Sequence, residues 1–192
     1  AAKVFHVAPD QVTHEMRRQA KAVNFGIVYG ISAFSLSQDI GVTVAEAKAY
    51  MEAYFATFPG VRTYMDAIVE RAREQGYVET LFHRRRDLPE LKSSNFNLRS
   101  FGERVALNMP IQGTAADIMK LAMVAVRERL RRELPEAKLV LEVHDELIVE
   151  CPAPQAERAA ALLKEEMENV VILSVPLTAD AHWGKNWLEA KG

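Results

Sequence analysis

The sequence predicts an α+β fold, in which a mostly helical region is followed by a small antiparallel sheet packed on helices. Apolar residues recur at helical spacing through most of the first half of the chain. In the second half, two short aliphatic runs are joined by a tight polar step, which is typical of a hairpin. The 192 residues, 49% hydrophobic and 26% charged, have the composition of a globular protein of one or two domains.

The helical region begins with three amphipathic segments. The first spans about residues 13–30. A second helix is predicted to start at Thr43, because Glu46 three residues later completes a capping box. The third covers residues 61–75 and is closed by Gly76, since glycine readily adopts the left-handed conformation that ends helices.

The rest of the chain alternates between extended and helical patterns. We expect an extended segment over 77–82, then a helix over 97–109 that ends at Pro110 and a helix from Thr114 to about Leu134. A hairpin over 138–150 and a helix over 154–170 follow. The last predicted element is an edge strand over 172–178, because it contains Pro176. A boundary near residues 92–97 then separates a domain over 1–95 from a domain over 96–192.

The helix over 13–30 carries the first candidate site. Its four site residues follow one another at four-residue steps: Arg17, Lys21, Phe25 and Tyr29. Each step exceeds a full turn by only about 40°, so these residues, here called the cation–aromatic stripe, stay on one side of the helix. Cations suit phosphates and rings suit a sugar or base, which predicts a nucleotide laid along the helix. An ordinary solvated basic face is the alternative.

The position of the two cations favours an anionic ligand. With Thr13 as N-cap, Arg17 and Lys21 fall in the first two turns of the helix. The helix dipole there disfavours positive charge, and like charges four residues apart repel each other. A bound polyanion reverses both penalties, because a helix N-terminus with two cations is an anion site.

The predicted hairpin over 138–150 carries the second candidate site. Its two strands are joined by His144, Asp145 and Glu146 rather than by the usual Asn-Gly or Asp-Gly. Magnesium often uses only one or two protein carboxylates plus substrate phosphates, so the turn is a candidate metal site, although an ordinary charged turn is the alternative. Since neighbouring strand residues point to opposite faces, a second carboxylate must come from elsewhere. Asp117 is not expected to supply it, because a place in the first turn of a helix already explains an acidic residue.

Charge and cysteine content exclude several classes of protein. A net charge of -2 excludes a uniformly basic nucleic-acid binder, so any such surface must be local. Cys151 is the only cysteine, which excludes an internal disulfide and makes the reducing cytoplasm the expected location. No apolar run reaches membrane-spanning length, and no membrane partner is expected. Because Ala1 is not preceded by a methionine, we expect the chain to begin within a longer protein.

Four motifs together resemble family A DNA polymerases, the group of the bacterial polymerase I type. They are the fingers helix motif over 17–30, a basic motif over 79–86, a third signature over 108–117 and the palm hairpin motif over 141–147. The resemblance covers essentially the whole chain in the right order. It implies that residues 1–95 are the fingers subdomain and that residues 96–192 are the C-terminal part of the palm.

The resemblance implies a nucleotide-binding role for the stripe. Arg17 and Lys21 would bind the incoming triphosphate, with Lys21 a candidate proton donor to the leaving pyrophosphate. Phe25 would pack on the sugar and base, and family members with phenylalanine here tend to reject dideoxynucleotides. Tyr29 would guard the insertion site near the templating base.

The resemblance also implies metal and DNA contacts. Asp145 would be one of two metal-binding aspartates, with Glu146 an accessory acid and His144 near the primer end. Minor-groove contacts of primer–template DNA would come from Arg104, Asn108 and Gln112, and backbone phosphate contacts from Arg84, Arg85 and Arg86. Both kinds of contact are largely blind to sequence, which suits a polymerase.

The chain departs from the family pattern at two points. Glu142 stands where many relatives carry glutamine, so it is assigned no nucleic-acid contact. The motif with the other metal-binding aspartate is absent, as is the thumb.

The expected activity is template-directed addition of deoxynucleotides to a primer with two Mg²⁺ ions, in DNA replication or repair. It requires primer–template DNA, deoxynucleoside triphosphates and the remainder of the polymerase chain, so the isolated chain is expected to be inactive. A non-catalytic nucleotide- or nucleic-acid-binding module is the alternative.

Overall fold

The computed structural model describes residues 1–5 and 7–191, which fold into two compact units, residues 1–113 and 114–192. The structure is largely helical with two small antiparallel sheets, which confirms the predicted α+β class. The boundary predicted near residues 92–97 lies inside the first unit, and the division into fingers and palm stays a prediction.

Helices and hairpins follow one another along the chain. The elements are α1 (Ala2–Phe5), α2 (His14–Val28), α3 (Ala33–Ile40), α4 (Val44–Thr57), α5 (Pro59–Gln75), β1 (Tyr77–Glu79), β2 (Arg85–Asp87), α6 (Phe96–Glu133), β3 (Lys138–Val143), β4 (Glu146–Glu150), α7 (Ala156–Asn169) and α8 (Trp187–Lys191), with 3-10 turns at Pro9–Gln11, Pro89–Lys92 and Ala153–Gln155. No helix among the described residues combines the length and apolar character needed to cross a membrane.

The predicted helix caps are confirmed. Thr13 caps α2, since its hydroxyl accepts a hydrogen bond from the Met16 N–H at 3.1 Å. Thr43 and Glu46 form the predicted capping box at the start of α4, with bonds of 2.8 and 3.2 Å. Gly76 closes α5 with a φ of 83°, a left-handed conformation in which glycine is unstrained.

Two helices of the first unit, α1 and α3, were not predicted from the sequence. The short helix α3 packs the buried side chains of Leu36 and Ile40 against Val23 and Ile27 of α2. Its two turns are too short to show a clear helical period. Burial of these aliphatic side chains in one core cluster is what holds α2, α3 and α4 together.

The first hairpin follows α5. The predicted extended segment over 77–82 is a strand only as far as Glu79, and β1 then pairs with β2, so that Tyr77 lies opposite Asp87 and Glu79 opposite Arg85. Val78 is buried and anchors this hairpin to a cluster that includes Leu88 and Leu91.

The predicted break at Pro110 is wrong, because α6 continues through this residue. A proline inside a helix costs roughly 3 kcal/mol through a lost hydrogen bond and a clash with the preceding turn. Buried residues on both sides of Pro110 along α6, such as Ala106 and Met119, supply burial that outweighs this cost. Asp117 therefore lies in the interior of a long helix, where it is 6% exposed, and its assignment to a first helical turn is also wrong.

The second unit is built around the β3–β4 hairpin. The pairing changes register between Leu139 and Leu141, so that Val140 is the extra residue of a bulge in β3. Leu147 of β4 packs with residues from α6 and α7, including Val126 and Leu162.

The predicted edge strand over 172–178 is wrong. All of these residues are described and none belongs to a strand. Ile172 is 99% exposed, so the aliphatic run has no sheet face to cover. Without a neighbouring strand, β-forming side chains have nothing to pack against, and β propensity alone does not form a ladder.

Candidate functional site

The cation–aromatic stripe lies on one exposed side of α2, opposite the buried Val23 and Ile27. Phe25 and Tyr29 are 47% and 37% exposed, with their ring centroids 6.3 Å apart and their planes within 15° of parallel. Nζ of Lys21 lies 5.8 Å from the Phe25 centroid. The stripe is therefore a continuous surface that runs from a cation over two stacked rings.

Two of the three cations at the start of α2 are uncompensated. Arg18 is paired with Glu15 at 2.6 Å, and this hydrogen bond lowers the pKa of the Glu15 carboxyl. No carboxylate of the described residues lies within ion-pairing distance of Arg17 or Lys21. Uncompensated positive charge therefore remains along the first half of α2, an arrangement that favours an anion near the helix N-terminus.

Glycines define the other end of the stripe. The N–H of Ile31 donates to the carbonyl of Gly26 at 2.8 Å, and Gly30 has a φ of 71°, which together end α2 in a Schellman motif. A Cβ on Gly30 would lie 3.0 Å from Leu107 Cδ1 and 3.3 Å from Arg104 Cγ. Gly30 thus lets the Tyr29 end of the stripe approach α6, a role that the sequence analysis missed.

The predicted minor-groove residues share one face of α6, since they too are four residues apart. Arg104 is exposed and donates to Ser100 Oγ at 3.1 Å, and Gln112 is exposed. The Oδ1 atom of Asn108 is buried without a hydrogen-bond partner among the described residues. Because an unpaired buried amide oxygen is costly, Asn108 is suited to a ligand that supplies the missing bond.

The arginines of the first hairpin are not equivalent. All three are exposed, but the Arg85 guanidinium lies 2.7 Å from Asp87 and 3.7 Å from the centroid of the Tyr77 ring. Arg85 therefore already has partners within its own hairpin. Arg86 lies on the opposite face of β2, since side chains alternate along a strand.

The acidic turn of the second unit has two residues, His144 and Asp145. His144 has a φ of 59°, a left-handed conformation that costs a non-glycine residue free energy and is often found at functional sites. Asp145 is exposed and has no ion pair with a described cation. Glu146 differs, because Lys191 lies 3.0 Å from its carboxylate.

Lys191 and Trp187 were missed by the sequence analysis. The Lys191 ammonium lowers the pKa of the Glu146 carboxyl, chiefly by hydrogen bonding to it, and the Trp187 ring lies 5.7 Å from the same ammonium. Both residues lie on α8, far along the chain from the hairpin. The only signal for them in the sequence is that an aromatic and a basic residue stand four positions apart.

The described residues of this chain do not form a complete metal site. No group of three or more His, Cys, Asp or Glu side chains in the described ranges is arranged to hold an ion. The single exposed carboxylate of Asp145 fits a cation that is held mainly by substrate phosphates and by groups outside the chain, as Mg²⁺ often is.

Comparison with known proteins places the chain in a family. Residues 1–189 match DNA polymerase family A, and the chain therefore belongs to this family. Among individual relatives, it is 56% identical over 191 residues to DNA polymerase I of Geobacillus stearothermophilus and 53% identical over 191 residues to DNA polymerase I of Bacillus subtilis. Each match covers 100% of this chain and 22% of the relative, so the chain spans about a fifth of the length of these proteins.

A solved structure shares the fold. The POL domain of Pol1 from M. smegmatis, in complex with DNA primer-template and dNTP, superposes with a TM-score of 0.95 at 42% sequence identity. The match covers 100% of this chain and 34% of that chain.

Proposed function

We propose that the chain is the nucleotide-binding and metal-binding part of a template-directed DNA polymerase that adds deoxynucleotides to a primer 3′ end. The observation that carries this proposal is the cation–aromatic stripe, which exposes two uncompensated cations and two stacked rings in a chain of polymerase family A. The related Pol1 domain, solved with primer-template DNA and dNTP, supports DNA and nucleotides as partners.

In this proposal the stripe binds the incoming nucleotide. Arg17 and Lys21 hold the triphosphate by charge-assisted hydrogen bonds, and Phe25 packs on the sugar and base. Lys21 donates a proton to the leaving pyrophosphate, since an ammonium is a donor placed beside the developing charge. Tyr29 lies at the end that approaches α6, and there it guards the insertion site.

The remaining site residues serve DNA and metal. Minor-groove contacts come from Arg104, Asn108 and Gln112, and sequence-independent phosphate contacts come from Arg84, Arg85 and Arg86. Asp145 is the ligand that this chain would give to Mg²⁺, with Glu146 an accessory acid and His144 near the primer end. When bound, such ions polarise the phosphoryl group and stabilise negative charge on the attacking and leaving oxygens.

Matched arginines test the nucleotide site. In the complete polymerase, Arg17→Met is expected to raise the KM for dNTP about tenfold, the effect of losing one hydrogen bond to a charged group. Arg18→Met is the control, because Arg18 is adjacent but already paired with Glu15. Equal effects of the two substitutions would mean that the stripe does not select the triphosphate.

A substitution in the acidic turn distinguishes a catalytic role from nucleic-acid or nucleotide binding alone. Asp145→Asn is expected to lower the primer extension rate at least about 100-fold, the scale of removing one preorganised electrostatic group. Binding of primer–template DNA is expected to persist. Glu150→Gln removes a charge from the other end of the same hairpin and is the control. An extension rate near wild type for Asp145→Asn would instead favour a non-catalytic binding module.

We further propose that the 192-residue chain by itself is inactive, since one metal-binding aspartate motif and the thumb are absent from it. The purified chain with Mg²⁺, primer–template DNA and dNTPs is expected to extend no primer in a gel assay. The lone Cys151 keeps the cytoplasm as the expected location.

A further inference from the structure

The C-terminal helix α8 contacts the acidic turn. Nζ of Lys191 lies 3.0 Å from Oε1 of Glu146. Lys191 Nζ also lies 5.7 Å from the centroid of the Trp187 ring. Because Trp187 and Lys191 are four residues apart, they share one face of α8, and the ring lies beside the ammonium that contacts Glu146.

A local network orders the short helix that presents these two side chains. Asn186 Oδ1 accepts the N–H of Glu189 at 3.0 Å, and Glu189 accepts the N–H of Lys185 at 3.0 Å. Asn186 also donates from Nδ2 to Glu189 at 3.1 Å. A helix of five residues is unstable alone, so these caps and the contact to Glu146 are what hold α8 in place.

The contact makes two adjacent carboxylates unequal. Asp145 is exposed without an ion pair among the described residues, whereas Glu146 is neutralised by Lys191. Without Lys191, Glu146 would carry an unpaired negative charge at the residue next to Asp145. With it, the orientation of the Glu146 side chain is set by α8, and Asp145 remains the carboxylate open to a ligand.

We propose that Lys191 is a positioning residue for the acidic turn, because its ammonium, which lies against the Trp187 ring, fixes the carboxylate of Glu146 and leaves the adjacent residue Asp145 to take the metal ion. This inference rests on the proposed polymerase function. It assigns the last turn of the chain a part in the reaction although neither side chain is proposed to touch substrate.

The test is a double-mutant cycle in the complete polymerase. Lys191→Met is expected to lower kcat about tenfold, the scale of losing an outer partner of a metal site, and to raise the Mg²⁺ concentration needed for half-maximal extension. The KM for dNTP is expected to stay within about twofold, since the stripe is untouched. Lys191→Arg keeps the ion pair and restores kcat, and Lys185→Met is the control in the same segment.

The coupling between Lys191 and Glu146 decides whether the inference holds. In a Glu146→Gln background, Lys191→Met is expected to cause no further loss of kcat, because the partner is already gone. A full additional loss there, or a Lys191→Met enzyme that behaves like Lys185→Met, would overturn the inference. Trp187→Ala, which removes the ring beside the Lys191 ammonium, is expected to give a smaller loss in the same direction.

A readout independent of activity separates this inference from the proposed function. The melting temperatures of the same four variants of the cycle are expected to be non-additive, since the contact exists in the folded protein. If the wild-type protein extends no primer, the proposed function fails, and the melting cycle alone decides whether Lys191 positions Glu146. Additive melting temperatures would refute the contact itself.

Discussion

The two hairpins among the described residues share a left-handed histidine in the turn but have different supports. We call Tyr77–Asp87 the basic hairpin and Lys138–Glu150 the acidic hairpin. Each turn contains a histidine with positive φ, 62° at His83 and 59° at His144. The strands of the basic hairpin have three residues each, whereas those of the acidic hairpin have six and five.

Local hydrogen bonds organise the basic turn, and burial organises the acidic one. Thr80 Oγ1 accepts the N–H groups of Phe82 at 3.2 Å and of Arg84 at 3.1 Å. Leu147 instead joins a core cluster of nine buried residues, with Leu139 and Val149 packed against it. Metal binding needs fixed geometry, whereas attraction to phosphates is long-ranged. The acidic hairpin, which is anchored in the core, therefore carries the proposed metal ligand, and the basic hairpin carries the proposed phosphate contacts.

The strongest test of this comparison removes the anchor of the acidic hairpin. Leu147→Ala is expected to destabilise the hairpin by about 2–5 kcal/mol, through lost burial and the cavity left behind. Amide hydrogen exchange of β3 and β4 measures this local stability. Val140→Ala, at a bulge residue that is 42% exposed, is the control. Equal exchange rates in the two variants would show that the core does not hold this hairpin.

A smaller effect is expected from the turn of the basic hairpin. Thr80→Val preserves side-chain shape but leaves two N–H groups without their acceptor, at a cost of about 1–3 kcal/mol. Faster exchange is expected at the amides of Phe82 and Arg84 and not in the acidic hairpin. Thr80→Ser retains the hydroxyl and should protect these amides; if it does not, the hydrogen bonds are not what organises the turn.

Acid is expected to weaken the contact between α6 and α7 in the second unit. Arg129 on α6 contacts Glu165 at 2.8 Å and Glu166 at 2.6 Å on α7, as well as Glu133 at 3.0 Å. Hydrogen bonds from Arg132 and Arg129 lower the pKa of Glu133. A lowered folded-state pKa means that this stabilisation is complete above the unfolded value, about 4.3, and is lost as the pH falls through the folded-state value.

Replacing the shared arginine checks this pH dependence. Arg129→Met is expected to destabilise the second unit more at neutral pH, where Glu133 is ionised, than at a pH low enough to protonate Glu133, whose pKa is lowered by Arg132 and Arg129. Urea denaturation across this pH range measures the difference. Arg127→Met, at an exposed position on the same helix, should show no such trend; an identical trend would attribute the effect to net charge alone.

The smallest expected effect concerns the left-handed histidines. His83→Gly removes the cost of a side chain at positive φ but adds backbone freedom to the unfolded chain, so a net stabilisation of about 0.5 kcal/mol is expected. His144→Gly should stabilise its hairpin similarly and, in addition, slow primer extension, since strain is often retained at functional sites. Unchanged extension by His144→Gly would show that this histidine serves the turn alone.

Interactions between near neighbours were predictable from the sequence. The caps at Thr13, Thr43 and Gly76 each depend on hydrogen bonds within a few residues, and the structure forms all three. The exposed side of α2 was predictable for the same reason, because helical periodicity alone determines which residues share a face. The functional roles of the stripe and the acidic turn remain predictions.

Interactions between distant residues were decided only by the tertiary structure. Pro110 ended a predicted helix by its local chemistry, yet burial on both sides of it along α6 keeps that helix continuous. The aliphatic run over 172–178 had strand propensity but found no strand to pair with. No sequence feature near Glu146 predicted its contact with Lys191.

The sequence by itself determined the α+β class, the helix caps and which side chains the stripe displays, because hydrogen bonds and side-chain periods act over one or two turns. Only the tertiary structure decided that α6 continues through Pro110, how Gly30 lets α2 approach α6, and which of two adjacent carboxylates is neutralised. Those outcomes depend on burial and charge supplied by residues that are far away in the chain. A local sequence pattern does not predict such distant contacts.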